Sequence, residues 1–130
     1  MSEENLELVR AGFAAHNRGD LDALTQFYDE DVVFKTLLLG THRGNEAIRL
    51  IYEENQKTLS GYDVVPVELI DAGDQVVAVA QVSGVGSSSE IAMEDRDRFA
   101  LLFTIKDGRC VREQAFRNRA EALEAAGLSE

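Results

Sequence analysis

The sequence predicts an α+β fold, a cone-shaped curved antiparallel sheet wrapped around N-terminal helices in the order α-α-β-α-β-β-β-β-α. Three observations predict it. Apolar residues recur at helical spacing through the first half of the chain, broken by one short strand, and from Tyr62 onward the period changes to two. The stretch Arg96–Arg117 reads as a long hairpin, because β-branched and aromatic runs flank Lys106-Asp107-Gly108 and glycine accepts the positive φ of a tight turn. The first strand of that hairpin is apolar on one face at Phe99, Leu101, Phe103 and Ile105, a face that the helices must cover.

Taken in order, Leu6, Val9 and Phe13 with the adjoining Leu8 and Ala14 describe an amphipathic helix, with Glu3 and Glu4 suited to the positive end of its dipole. Asn17-Arg18-Gly19-Asp20 ends it, and Asp20 caps a second helix through Leu21, Leu24, Phe27 and Tyr28. Asp29-Glu30-Asp31 breaks that helix, and Val32–Thr36 follows as a short strand. Leu37-Leu38-Leu39-Gly40 either continues the strand or forms an apolar loop at a mouth. A third helix runs from Glu46 to about Leu59, with Ile48, Ile51, Tyr52 and Asn55 on one stripe, and Gly61 stops it. Tyr62–Ile70 is a strand that Pro66 places at an edge or a bulge, since proline has no amide hydrogen to give a ladder. Asp71–Asp74 turns into Gln75–Ser83, apolar on both faces and therefore central. Gly84-Val85-Gly86-Ser87-Ser88-Ser89 reads as a bend and a hairpin loop. Asn118 caps a final helix, Ala120–Ala126, which Gly127 closes.

A length of 130 residues suits one domain, residues 1–130, and 45% hydrophobic with 28% charged residues is an ordinary globular composition. No apolar run approaches the ~20 residues of a membrane span, and the acidic start Met1-Ser2-Glu3-Glu4 lacks the basic flank of a signal peptide, so a cytoplasmic protein is expected. A formal net charge of −11 repels phosphate backbones and anionic lipid, which argues against nucleic acid and membrane partners. The single Cys110 reads as a small buried hydrophobe. Two distant histidines and one cysteine have no metal-ligand spacing, and Gly84-Val85-Gly86 is not a dinucleotide fingerprint, so no metal and no cofactor are expected. The arginines of the last two strands, interleaved with acidic residues, read as cross-strand ion pairs worth about 0.2–1 kcal/mol each.

The stretches Asn17-Arg18-Gly19-Asp20-Leu21-Asp22-Ala23-Leu24, Asp31-Val32-Val33-Phe34, Arg43-Gly44-Asn45-Glu46-Ala47-Ile48, Asp71–Val77 and Arg119–Leu128 carry a resemblance. In that order they resemble the SnoaL-like branch of the nuclear transport factor 2 and ketosteroid isomerase-like superfamily, also described as cystatin-like. The resemblance implies helices closing a curved sheet around an apolar cavity, and a homodimer formed through the open sheet face. It leaves the chemistry open, since the superfamily holds isomerases, cyclases, dehydratases, hydrolases and binding modules. The isomerases' tyrosine, carboxylate base and protonated acid fall on Gly12, Lys35 and Leu101, none of which keeps that chemistry. Relatives carry tryptophan at the position of Phe34, tyrosine at Phe116 and aspartate at Asn118.

The expected pocket is lined by Phe13, Tyr28, Phe34, Tyr52, Phe99, Leu101, Phe103, Phe116 and Asn118, with Tyr28 and Tyr52 offering hydroxyls from the helices. Three residues are candidates for moving a proton. Lys35 shares a strand face with Val33, and either enters the cavity with a lowered pKa or snorkels to water from the strand end. His42 lies in a loop near the mouth, as a pocket acid or base or as a solvated histidine. Glu113 is a charge facing with Val111 and Ala115, either paired with Arg98 or Arg117 or turned into the cavity. His16, next to the helix-ending Asn17, reads as a surface residue or as one placed at the negative end of the helix dipole. Two functions follow: a domain that binds a small hydrophobic molecule without catalysis, favoured by the missing acid–base groups, or a cofactor-independent isomerase, cyclase or hydrolase acting on a polyketide- or steroid-like carbonyl compound.

Overall fold

The computed structural model describes residues 2–37, 40–58, 63–83 and 98–128. The elements are α1 (Ser2–Asn17), α2 (Leu21–Phe27), β1 (Tyr28–Lys35), β2 (Thr41–Arg43), α3 (Asn45–Thr58), β3 (Asp63–Ala72), β4 (Gln75–Ser83), β5 (Arg98–Lys106), β6 (Arg109–Phe116) and α4 (Arg119–Ala125). The expected order stands, with the short strand β2 added where the sequence had suggested only a lead into the third helix. Leu38, Leu39, Leu59, Gly61, Tyr62, the Gly84–Ser89 stretch and Arg96 lie outside the described residues.

The six strands form one curved, unclosed sheet in the order β2-β1-β6-β5-β4-β3. It is mixed rather than wholly antiparallel, because β1 runs parallel to β6 while the remaining pairs are antiparallel. The β5–β6 hairpin leaves one edge of β6 open, and the long excursion through α3 and β3–β5 lets the chain return beside β1 in the same direction. That hairpin turns at Asp107 and Gly108, with φ of 53° and 78°, the left-handed geometry that an Asp-Gly pair tolerates. Pro66 sits on the edge strand β3 beside a register shift between Pro66 and Glu68, where its missing amide hydrogen costs no ladder bond. In the central β4, Val76 to Ala80 are all buried.

The burial on both faces of β4 has two sources. On the inner face, α1, α2 and α3 pack over Val76, Ala78, Leu101, Phe103 and Ile105. On the outer face, Ala122 and Leu123 of α4 close over Val77, Ala100 and Leu102, with Phe116 against them. The side chain of Asn118 accepts from Glu121 N to start α4, and Asp20 accepts from Ala23 N at 3.0 Å to start α2. The carboxyl of Asp20 is held below the usual range chiefly by that backbone N–H. At its far end α1 is clamped to β3: Asn17 Nδ2 donates to Val64 O and Val64 N donates to Asn17 Oδ1, both at 2.9 Å.

The segment Asp29-Glu30-Asp31 does not stand between helix and strand. It is a bulged part of β1, which opens at Tyr28 and shifts register against β6 between Tyr28 and Val33. The Asp29 carboxylate accepts from Asp31 N at 2.9 Å, a local bond that suits a bulge better than a ladder.

Candidate functional site

Between the helices and the inner sheet face lies a cavity of about 340 Å³. Its wall is mostly aromatic and aliphatic. Phe103 meets Phe13 edge-on at 6.0 Å between centroids and Phe27 at 5.7 Å, and Phe27 meets Tyr28 at 4.9 Å. Gly12 of α1 allows that arrangement, since a β-carbon there would stand 3.3 Å from the Phe27 ring. The position at which isomerase relatives were expected to hold a tyrosine is thus occupied by the approach of Phe27.

Among the described residues, one carboxyl group stands in this apolar wall. Glu113 is 2% exposed and lines the cavity. Its inward direction comes from a β-bulge: Thr104 pairs with Arg112 but Ile105 pairs with Cys110, so Val111 is an extra residue. Residues three apart in a regular strand face opposite ways; the extra residue lets Cys110 and Glu113 both face inward. Val111 therefore does not share the Glu113 face as its spacing had suggested, whereas Ala115 does line the cavity. The parallel pairing with β1 brings in the partner, and Tyr28 Oη donates to Glu113 Oε1 at 2.6 Å.

Burial pushes the Glu113 carboxyl from its ordinary 4.5 up to about 7, with the Tyr28 hydrogen bond pulling the other way. Near neutral pH the group is therefore divided between its acid and its carboxylate. In the acid form Tyr28 donates to Oε1, so Oε1 is the carbonyl oxygen and Oε2 carries the proton. Burial and then the Glu113 charge raise the Tyr28 hydroxyl well above its usual range, and the same two causes raise the Cys110 thiol. Tyr28 thus serves as a fixed donor, and Cys110 is no thiolate nucleophile.

Phe13, Tyr28, Phe34, Tyr52, Phe99, Leu101 and Phe103 line the cavity together with Glu113. Tyr28 does so from the first residue of β1 rather than from a helix. Phe116 and Asn118 do not. In β6, Phe116 alternates with Ala115 onto the outer face against α4, and Asn118 is spent capping α4. Lys35 is not on the cavity either: Val32 and Phe34 are the inward residues of β1, so Val33 and Lys35 take the other face. His42 pairs opposite Phe34 on the short β2, outside the cavity lining, and its Nε2 is buried without a hydrogen-bond partner among the described residues. Among the described residues, no group of three His, Cys, Asp or Glu is placed to hold a metal ion. No helix there is long and apolar enough to cross a membrane.

His16, expected at the surface, lines the cavity near its Val64 end. Its ring meets Tyr52 edge-on at 5.1 Å, and its Nδ1 lies 2.9 Å from Asn17 Oδ1. The signal was present in the sequence: Val9, Gly12, Phe13 and His16 follow one another at helical spacing, so a side chain one turn beyond Phe13 shares its stripe.

Comparisons with known proteins agree with this architecture. A family model described as a SnoaL-like domain matches residues 9–113. An uncharacterised protein of Mycobacterium tuberculosis is 31% identical over 129 residues, covering 95% of each chain. A solved structure from Sinorhizobium meliloti, described as a candidate polyketide cyclase, is 29% identical with a TM-score of 0.70, covering 84% of this chain and 93% of that one. A Catenulispora acidiphila protein of ketosteroid isomerase-like fold, solved with trimethylamine, is 20% identical with a TM-score of 0.71 over 94% and 93% of the two chains, and shows the fold alone.

Proposed function

The chain belongs to the SnoaL-like family of the nuclear transport factor 2-like superfamily, and on that premise we propose that its cavity receives a small, mostly apolar carbonyl compound and exchanges a proton with it through Glu113. The observation that carries this reading is the buried Tyr28–Glu113 pair, the point where an apolar wall holds a carboxyl poised near neutrality. A protonated carboxyl beside a tyrosine in an apolar site is suited to hydrogen-bond a carbonyl oxygen and to give up its proton as negative charge develops there. Oε2 is the donating atom and Tyr28 holds the carboxyl in orientation. The likeness to the Sinorhizobium meliloti protein supports a polyketide-like carbonyl compound as the class. A volume of about 340 Å³ suits a molecule of one or two fused rings. The reading needs neither a metal nor an organic cofactor.

A second reading, binding without turnover, is favoured by the apolar residues Gly12 and Leu101 at positions where isomerase relatives carry polar groups. A homodimer through the outer sheet face belongs to the same proposal, supported by Val65 and Val67, which are 38% and 44% exposed on β3. Glu113→Gln separates the two functional readings, because glutamine still accepts from Tyr28 but cannot transfer a proton. Thermal denaturation against a panel of hydrophobic ketones identifies the ligand, and turnover is then followed by product analysis. Catalysis predicts that the variant binds the ligand and loses turnover by two or more orders of magnitude. Equal turnover by both proteins would remove Glu113 from the chemistry, and binding without turnover by the native chain would establish the second reading.

A further inference from the structure

The Glu113 carboxyl stands among aromatic side chains, and no lysine or arginine lines its cavity among the described residues. Its backbone pairs with Phe34 of β1 on one side and with Phe103 of β5 on the other, and both of those residues line the cavity. Residues paired directly across strands share one sheet face, so the carboxyl emerges between two phenylalanines. Phe13 and Phe27 pack edge-on against Phe103, and Tyr28 donates to Oε1 from the same wall. Arg112, the neighbour of Glu113 in β6, is exposed, and Lys35 takes the other face of β1. Burial and the Tyr28 hydrogen bond are the causes that set where Glu113 titrates, and no cationic side chain is among them.

A buried carboxylate is costly unless a cation is brought against it, and the face of an aromatic ring attracts a cation most strongly where water is excluded. Carboxylate and rings together therefore fit a positively charged ligand. Hydrogen bonding narrows its type. With Tyr28 on Oε1, Oε2 is the oxygen that remains for a ligand. A primary ammonium brings three N–H donors to that oxygen and turns the surplus toward apolar wall, whereas a quaternary ammonium brings none. A tertiary ammonium brings one. We propose that the cavity binds a protonated tertiary amine of mostly apolar structure, its N–H donated to Glu113 Oε2 and its alkyl groups set against Phe34 and Phe103. This goes beyond the carbonyl reading and does not depend on turnover: the acid form of Glu113 donates to a carbonyl oxygen, and the carboxylate form accepts from an ammonium. An uncharged amine that enters the acid form reaches the same complex, the proton passing from Oε2 to the amine nitrogen.

Benzylamine, N,N-dimethylbenzylamine and benzyltrimethylammonium are cations of one skeleton that differ in their N–H donors, and all are small enough for a cavity of about 340 Å³. Titration calorimetry near pH 8, where the carboxyl is mainly ionised, compares them on the native chain and on Glu113→Gln. The native chain should bind the dimethyl compound about tenfold more tightly than either of the others. Glutamine keeps the bond from Tyr28 but turns an NH2 donor toward the ligand, so the variant should lose about tenfold or more of that affinity and the preference with it. Infrared spectra of the native chain near pH 6 give a readout independent of any variant's folding, since adding the dimethyl compound should replace the protonated Glu113 carboxyl band by a carboxylate band. An affinity that climbs with every added methyl group, or one unchanged in Glu113→Gln, would overturn the proposal, because apolar contact alone would then explain binding. Binding of hydrophobic ketones but of none of the cations would overturn it while leaving the carbonyl reading in place. The tertiary preference without any ketone binding would uphold it and overturn the carbonyl reading instead.

Discussion

The carboxyl of Glu113 is protonated below about pH 4.5 in folded and unfolded chains alike, so there it has no effect on stability. Between about 4.5 and about 7 the unfolded chain ionises while the folded chain holds its proton, and stability falls as pH rises. Above that window both forms are ionised, and the loss levels off at roughly 3 kcal/mol. The native chain should therefore lose melting temperature between pH 5 and pH 8 relative to Glu113→Gln, whose profile lacks this component; parallel profiles would show that the carboxyl is not buried as described. Tyr28→Phe removes the hydrogen bond that favours the carboxylate, and should move the Glu113 titration further up, as read by its carboxyl stretching band. If proton donation drives turnover, activity falls as pH rises through about 7.

At the scale of elements, the helix caps and strand faces show how much of the fold was legible. Asp20, Asn118 and the Asp107-Gly108 turn act as their chemistry demands. Asn118→Ala should lower stability by about 1 kcal/mol, a fall of roughly 4 °C in the thermal midpoint, through loss of its bond to Glu121 N. The misreadings have one kind of cause. Val32-Val33-Phe34 is apolar on both faces, so nothing local decided whether Phe34 or Lys35 turns inward; packing against α3 and β6 decides it. A bulge at Val111 likewise changes the phase of β6, and no periodicity within the strand announces it. The pairing of β1 with β6 joins segments far apart in the chain, which made Tyr28 look like the end of a helix and left its partnership with Glu113 unseen. Gly12 departs from the isomerases' tyrosine, and its physical meaning, the close approach of Phe27, is set by tertiary packing that no local pattern carries. Gly12→Leu should overpack that contact and cost about 1–3 kcal/mol, measured by denaturant unfolding.

For the whole molecule, a ligand at 100 times its dissociation constant should stabilise the native state by about 2.7 kcal/mol, and Leu101→Trp, which fills the cavity from β5, should abolish that gain without unfolding the chain. Sedimentation velocity tests the proposed dimer, with a monomer at micromolar concentration excluding it. The Tyr28–Glu113 bond spans 85 positions of sequence and is made across the parallel β1–β6 pairing. Its closure thus carries the loop-entropy cost of bringing an early segment to a late one, and belongs to the slow, non-local part of folding. During synthesis, a nascent chain that has emerged as far as β5 has the aromatic wall of the cavity in hand but no acid to place in it. If Glu113 moves a proton as proposed, that chemistry becomes available only when β6 has cleared the ribosome, and a half-made chain holds the apolar wall without it.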